Sequence, residues 1–212
     1  LHQETDMPEL TLYTNPQSRG RIAHWMMEEV GEPYDTLWLE YGTSMKAPAY
    51  LAINPMGKVP AVQHGPVVVT EAAAICAYLA ETFASAGLAP QTAAERAAYW
   101  RWMFFAAGPL EQAVVARTLG WQVPEGRQGM VGFGCYADTL DALESGLSTG
   151  PFVCGERFTA ADVYVGSSVV WGLMFGTIEK RPVFETYAAR VMARPAYQRA
   201  VQINEARLKA GG

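Results

Sequence analysis

One change of pattern constrains this chain more than any other. Strands and helices alternate up to residue 84, and no strand-like run follows the stretch "SAGLAPQTAA" (Ser85 to Ala94). "LTLYT" (Leu10 to Thr14) is a short β-prone run. Ile22, Trp25, Met26, Glu29 and Val30 then recur at helical spacing, with Gly31 as a C-terminal stop. "YDTLWLE" (Tyr34 to Glu40) alternates with period two, placing Tyr34, Thr36, Trp38 and Glu40 on one face. Strand, helix and strand make a βαβ unit, whose crossover is right-handed. "MKAPAYLAINPMG" is a Pro-punctuated, irregular helix. "VPAVQ" and "VVVT" flank His64-Gly65-Pro66 as a hairpin, and Glu71 to Ala84 is an Ala-rich helix. The order βαβ-α-ββα predicts an α/β domain over residues 7–85.

Gly87 and Pro90 break the pattern and mark a linker. Beyond it, Thr92 to Gly120, Pro124 to Leu147, Thr159 to Phe175, Val183 to Ala193 and Pro195 to Leu208 read as helices. Residues 92–210 are therefore expected to form an all-α bundle, so the fold class is α/β plus all-α.

Charge and cysteine usage narrow the function classes. A formal charge of −5 argues against nucleic acid as a partner, because phosphate binding needs a basic face. No apolar run approaches the ~20 residues of a membrane span. The longest candidate, Val163 to Phe175, is broken by Gly166, Gly172 and two serines. Cys76, Cys135 and Cys154 are widely spaced with no CxxC, which suits a reducing cytoplasm rather than a disulfide framework or zinc site. His2, His24 and His64 lack metal-ligand spacing, so no metal is expected. No secretion signal is expected, and Leu1 to Asp6, ahead of Met7, read as an extension outside the fold.

Four stretches carry chemistry or local structure. "YTNPQSRGR" (Tyr13 to Arg21) joins a strand to a helix start, where unpartnered N–H groups form an anion site. Ser18 there either caps the helix or helps hold something anionic. In "NPMGKVPAV" (Asn54 to Val62), proline at the start of a β run is awkward because it cannot donate to the ladder. A cis Val59–Pro60 bond is one solution. "VVVTEAAAICAYL" places Glu71 where a strand becomes a helix, a position that the helix dipole also favours for an acid. "GERFTAADV" holds Thr159 and Asp162 at the spacing of a capping box, a structural feature.

In order and spacing, these four stretches resemble the cytosolic glutathione transferase family, nearest to its bacterial, serine-type members. The resemblance covers nearly all of the chain from Met7. It implies a thioredoxin-like N-terminal domain, an all-α C-terminal domain, a homodimer and a cis Val59–Pro60 bond. Glutathione would be the co-substrate. Val59 would pair through its backbone with the cysteinyl part, ahead of Pro60. Glu71 and the N–H of Ala72 would hold the γ-glutamyl end. Lys58 would meet the glycyl carboxylate, with help from Lys46. The family usually has serine where this chain has Ala72, so one hydrogen bond, worth about 1 kcal/mol, is missing. Between Leu10 and Ala84 the only basic residues are Arg19, Arg21, Lys46 and Lys58, all in or beside the candidate anion-binding loops.

A free thiol has a pKa near 8.5, and its thiolate is the nucleophile. A hydroxyl donating to the sulfur at a positively polarised helix start favours the ionised form. Ser18 is the expected activator, since "PQS" resembles the Pro-x-Ser of serine-type classes. Ser18, Arg19 and Trp25 also match members carrying "SRxxRxxW". Tyr13 is the alternative, because it falls where tyrosine-type classes keep their phenol. The expected reaction transfers glutathione to an electrophilic, apolar small molecule held between the domains. Aromatics on every side of "YWRWMFFAAGPL" would line that pocket, a subunit interface or the bundle core. The same thiolate could serve a peroxidase, dehalogenase or isomerase, and Ala72 favours a non-catalytic scaffold of the same fold.

Overall fold

The structure is a computed structural model that describes residues 9–211, so the extension expected at residues 1–6 lies outside the described residues. Contacts divide the chain into two units, one containing residues up to 86 together with those from 195 onward, the other containing residues 87–194.

The first unit is built on strands β1 (Leu10–Thr14), β2 (Tyr34–Trp38), β3 (Ala61–His64) and β4 (Val67–Thr70). They form a mixed sheet of order β2-β1-β3-β4, with β1 and β2 parallel and the other pairs antiparallel. Helix α1 (Gly20–Val30) makes the crossover from β1 to β2. Because side chains alternate along a strand, Leu10, Leu12 and Thr14 are buried on one face while Thr11 and Tyr13 turn to the other. Tyr13 and its cross-strand partner Ala61 pack with Met45 and Tyr50, from the 3₁₀ turn Ser44–Lys46 and the short helix α2 (Pro48–Leu51). Helix α3 (Ala72–Thr82) packs on α1, β3 and β4. This element order matches βαβ-α-ββα.

The last helix, α9 (Pro195–Gly211), packs on α1, although the sequence reading grouped it with the bundle. Residues 21, 24, 25 and 28 share one face of α1 by helical spacing, and each has a partner on α9. Arg21 pairs with Glu205 at 2.6 Å, and Arg199 with Glu28 at 2.8 Å. Trp25 and Tyr197 stack edge to face at 5.0 Å. The Asn204 amide, oriented by its bond to the Ala200 carbonyl, lies 3.1 Å from His24 Nδ1. An N–H donated there requires a neutral ring, and burial pushes the His24 pKa down to about 4.

The second unit comprises α4 (Ala93–Phe105), α5 (Glu111–Thr118), α6 (Tyr136–Leu147), α7 (Ala160–Phe175) and α8 (Pro182–Met192). Among the described residues it contains no strand, only an isolated bridge between Phe152 and Gly155. Two expected helices need correction. The stretch from 92 to 120 is interrupted at Ala106–Leu110 by a π-type turn holding Pro109, whose missing N–H cannot extend the α ladder. The helix expected from Pro124 begins only at Tyr136. Glycines at 126, 129, 132 and 134 deny the intervening stretch helix propensity, and Cys135 Sγ caps the helix by accepting from Asp138 N–H.

The capping box at the start of α7 is present. Asp162 Oδ2 accepts from the Thr159 N–H at 2.9 Å and from its hydroxyl at 3.2 Å. Oδ1 accepts from the Val153 N–H and the Tyr187 hydroxyl, both at 2.9 Å. Burial pushes the carboxyl up to about 6 while all four donors pull it down. The aromatic run on α4 divides by face: Tyr99 and Trp102 are buried, whereas Trp100 and Phe104 are exposed.

Candidate functional site

Three loops of the first unit enclose a cavity of about 280 Å³ walled by residues that include Ser18, Arg19, Tyr41, Lys46, Lys58 and Val59. Each loop is held by its own side-chain bonds. Between β1 and α1, Asn15 donates to the Leu39 carbonyl at 2.7 Å, and its Oδ1 accepts from Gln17 N–H at 2.9 Å. That asparagine turn brings Ser18 to the cavity. Ser18 Oγ donates to the Asn15 carbonyl at 2.7 Å and accepts from Gly20 N–H at 2.9 Å, so the hydroxyl also caps the start of α1. Gly20 is required by this packing: a Cβ there would lie 1.9 Å from Thr14 Oγ1 and 2.9 Å from Ser18 Oγ.

The second and third loops meet at Gly57, where a Cβ would come within 2.7 Å of the Met45 carbonyl and 2.8 Å of Lys46 Nζ. Lys46 Nζ donates to the Met56 carbonyl at 2.9 Å. Just before Val59, the Lys58 carbonyl accepts from the Tyr50 hydroxyl at 2.6 Å and from Asn54 Nδ2 at 2.8 Å. The backbone of Lys58 is thus pinned, while its ammonium makes no hydrogen bond or ion pair with the described residues. The Val59–Pro60 bond is cis, as the resemblance implies.

The structure brings Ser18, Lys46, Lys58 and Val59 to one cavity. Pro60 is buried behind it. Glu71 and Ala72 stand at the start of α3 and do not wall the cavity. Glu71 is exposed, with φ +67 and ψ 120, a sparsely populated conformation for a residue with a side chain. Ala72 is buried and opens the helix. Of the four cations expected at the anion loops, Arg19, Lys46 and Lys58 line the cavity. Arg21 does not: it donates to the Pro16 carbonyl and to Glu205. Tyr13 lies in the strand core, with its hydroxyl donated to Gln63 Oε1 at 2.9 Å, and is not a wall of the cavity.

Sequence reasoning missed the supports. Asn15, Asn54 and Tyr50 are the residues that fix the loops, and Gly20 and Gly57 are the ones that let them close. Asparagine whose Oδ1 accepts from the backbone N–H two residues on, as in Asn15–Gln17 and Asn54–Met56, is the signal that could have found two of them. Among the described residues, no group of three or more His, Cys, Asp or Glu is placed to hold a metal ion. No helix among them is long and apolar enough to cross a membrane.

The chain is similar in sequence and fold to known proteins. The pattern described as "Glutathione S-transferase, N-terminal domain" matches residues 19–82, and "Glutathione S-transferase, C-terminal domain" matches residues 112–171. A theta class glutathione S-transferase from Xanthomonas axonopodis pv. citri, solved with glutathione bound, is 33% identical. The match covers 92% of this chain and 98% of that one, with a TM-score of 0.72. A glutathione transferase from Methylococcus capsulatus is 28% identical over 92% of this chain and 98% of its own, with a TM-score of 0.76. Glutathione S-transferase 3 of Zea mays is 29% identical, covering 92% of this chain and 94% of the maize protein.

Proposed function

This chain belongs to the glutathione S-transferase family, and from that premise we propose that it conjugates glutathione to an electrophilic, apolar small molecule using the cavity of the first unit. One observation carries the reading: Ser18, Lys46, Lys58 and Val59 converge on a single small cavity. Val59 pairs with the cysteinyl backbone of glutathione and so sets the thiol toward Ser18. The uncommitted Lys58 ammonium meets the glycyl carboxylate, and Lys46 adds positive charge nearby. Glu71 and the Ala72 N–H hold the γ-glutamyl end, a role supported by the unusual backbone of Glu71 at a helix start.

Ser18 activates the sulfur. Its hydroxyl proton turns from the Asn15 carbonyl to the thiolate, while Gly20 N–H continues to donate to Oγ. That second bond draws charge from the oxygen and makes the hydroxyl a stronger donor. The thiol proton leaves to solvent, and the thiolate attacks the electrophilic carbon, forming the C–S bond and expelling the leaving group with its electron pair. Donors fixed beside the sulfur stabilise the thiolate more than the neutral thiol, so the thiol ionises nearer neutral pH.

The protein acts as a homodimer in the cytoplasm and serves in detoxification. Family membership and the exposed Trp100 and Phe104 on α4 support a second copy as the partner. Retention on immobilised glutathione, followed by turnover of an activated aryl halide, tests the proposal. Retention with turnover is expected. Retention without turnover with any electrophile would mark a scaffold instead, and failure of retention would remove the site assignment.

A further inference from the structure

Ser18 closes a turn that begins at Asn15, and the peptide unit between Pro16 and Gln17 lies inside it. That unit is planar, so its C=O and N–H turn together. Both are held. Gln17 N–H donates to Asn15 Oδ1 at 2.9 Å, and the Pro16 carbonyl accepts from Arg21 Nε. Asn15 is buried and anchored to the Leu39 carbonyl. Arg21 reaches back from the first turn of α1, and its Nη2 donates to Glu205 of α9 at 2.6 Å. The hold on the carbonyl thus depends on a side chain with several rotatable bonds, whose far end is fixed by a carboxylate.

Glu205 is not needed to keep α9 in place. Trp25 with Tyr197, Glu28 with Arg199 and His24 with Asn204 dock the helix independently. Glu205 is 47% exposed, and ion pairs at that exposure add little to stability. Its carboxylate is not a wall of the glutathione cavity either. What the contact does is local: it keeps Arg21 Nε on the Pro16 carbonyl, two residues ahead of Ser18. Without it the guanidinium samples other rotamers and the carbonyl loses its donor. The peptide can then rotate about its flanking bonds, and Ser18 faces the sulfur for a smaller fraction of the time.

We infer that Glu205 is a positioning residue for the reaction proposed above. Acting through Arg21, it fixes the Pro16–Gln17 peptide and so aims the Ser18 hydroxyl at the glutathione sulfur. The inference rests on that reading of Ser18. A simple charge effect would have the opposite sign. Removing a carboxylate favours the thiolate through the field alone and lowers the thiol pKa, whereas loss of aim raises it.

Two measurements on the full chain test this: the thiolate absorbance of the glutathione complex against pH, and turnover of an activated aryl halide. Glu205→Ala is expected to raise the bound-thiol pKa by about half a unit to one unit and to lower kcat about three- to tenfold near neutral pH. KM for glutathione should move by less than about twofold, and the denaturant midpoint scarcely at all. Glu205→Gln, whose amide oxygen can still accept from Nη2, should recover much of the loss although it carries no charge. In a Ser18→Ala background, Glu205→Ala should add no further shift. An unmoved or lowered pKa in Glu205→Ala would overturn the inference. So would an equal shift with and without the Ser18 hydroxyl, or a Glu205→Gln no better than Glu205→Ala. In each of these cases a shift from Ser18→Ala alone would leave the reading of Ser18 standing. No shift from Ser18→Ala would remove both.

Discussion

Around the cavity of the first unit, polar side chains keep donor capacity in reserve, whereas Asp162 in the second unit accepts four hydrogen bonds and has nothing left to offer. Lys58 has a pinned backbone and an uncommitted ammonium, and Ser18 has one donor that can be redirected. Both regions came from similar sequence signals, a polar residue at the start of a helix. The difference lies in saturation. A carboxylate with every lone pair occupied holds structure together, while a group with no partner, or with backbone partners alone, remains free to meet a ligand.

The largest effect expected from this contrast is on stability in the second unit. Asp162→Ala would orphan the buried Val153 and Thr159 N–H groups and the Tyr187 hydroxyl, where a simple capping box would lose only about 0.5–2 kcal/mol. A loss of about 3–5 kcal/mol is expected, read from the denaturant midpoint. Glutathione affinity of the folded protein should not change. A loss confined to the capping-box range would mean that the remaining donors find water.

Acidification should separate the units next. The folded pKa of His24 lies near 4, below its ordinary 6.5, so the unfolded chain binds the proton first. The stability this contributes is present above pH 6.5 and is lost as pH falls towards 4, by about 3 kcal/mol. Asp162 runs the other way: its folded pKa is raised to about 6, so its contribution is most favourable below pH 4 and declines as pH rises to 6. Amide exchange between pH 6.5 and 4 should therefore show α1 and α9 losing protection while α7 does not. Parallel loss in both units would contradict the assignment of these two groups.

The smallest effect tests the departure at position 72. Ala72→Ser restores a hydroxyl at the start of α3 and should tighten glutathione by about 1 kcal/mol, roughly fivefold, in a calorimetric titration. No gain would mean that the γ-glutamyl end does not reach this helix start.

Much of this was legible in the sequence, for physical reasons that also explain the gaps. A β-prone run, a helical spacing with its glycine stop, and a period-two run marked β1, α1 and β2 because these signals are local. The start of α7 was legible because Thr159 and Asp162 satisfy each other within one turn. The docking of α9 on α1 was not, since Arg21–Glu205 and His24–Asn204 join residues far apart in the chain. Arg21 looked like part of an anion site for the same reason: spacing shows where a cation is, not which carboxylate takes it. The irregular stretch before Tyr136 was read as helix, although its glycines at 126, 129, 132 and 134 were a signal against it. At the candidate site, Lys46, Lys58, Val59 and Ser18 were recognisable from their motifs. Gly20 and Tyr50 act through close approach and a bond to distant backbone, which no spacing rule reveals.

The central claim is that Ser18, and not Tyr13, stabilises the thiolate. Titrating the thiolate absorbance of the glutathione complex in the wild type, Ser18→Ala and Tyr13→Phe tests it directly. The account predicts a bound-thiol pKa below about 8.5 in the wild type. Ser18→Ala should raise it by about one to two units, with a ten- to hundredfold slower turnover near neutral pH. Tyr13→Phe should leave the titration in place, because that hydroxyl is engaged by Gln63. A shift with Tyr13→Phe and none with Ser18→Ala would contradict the account and leave Ser18 as a helix cap alone.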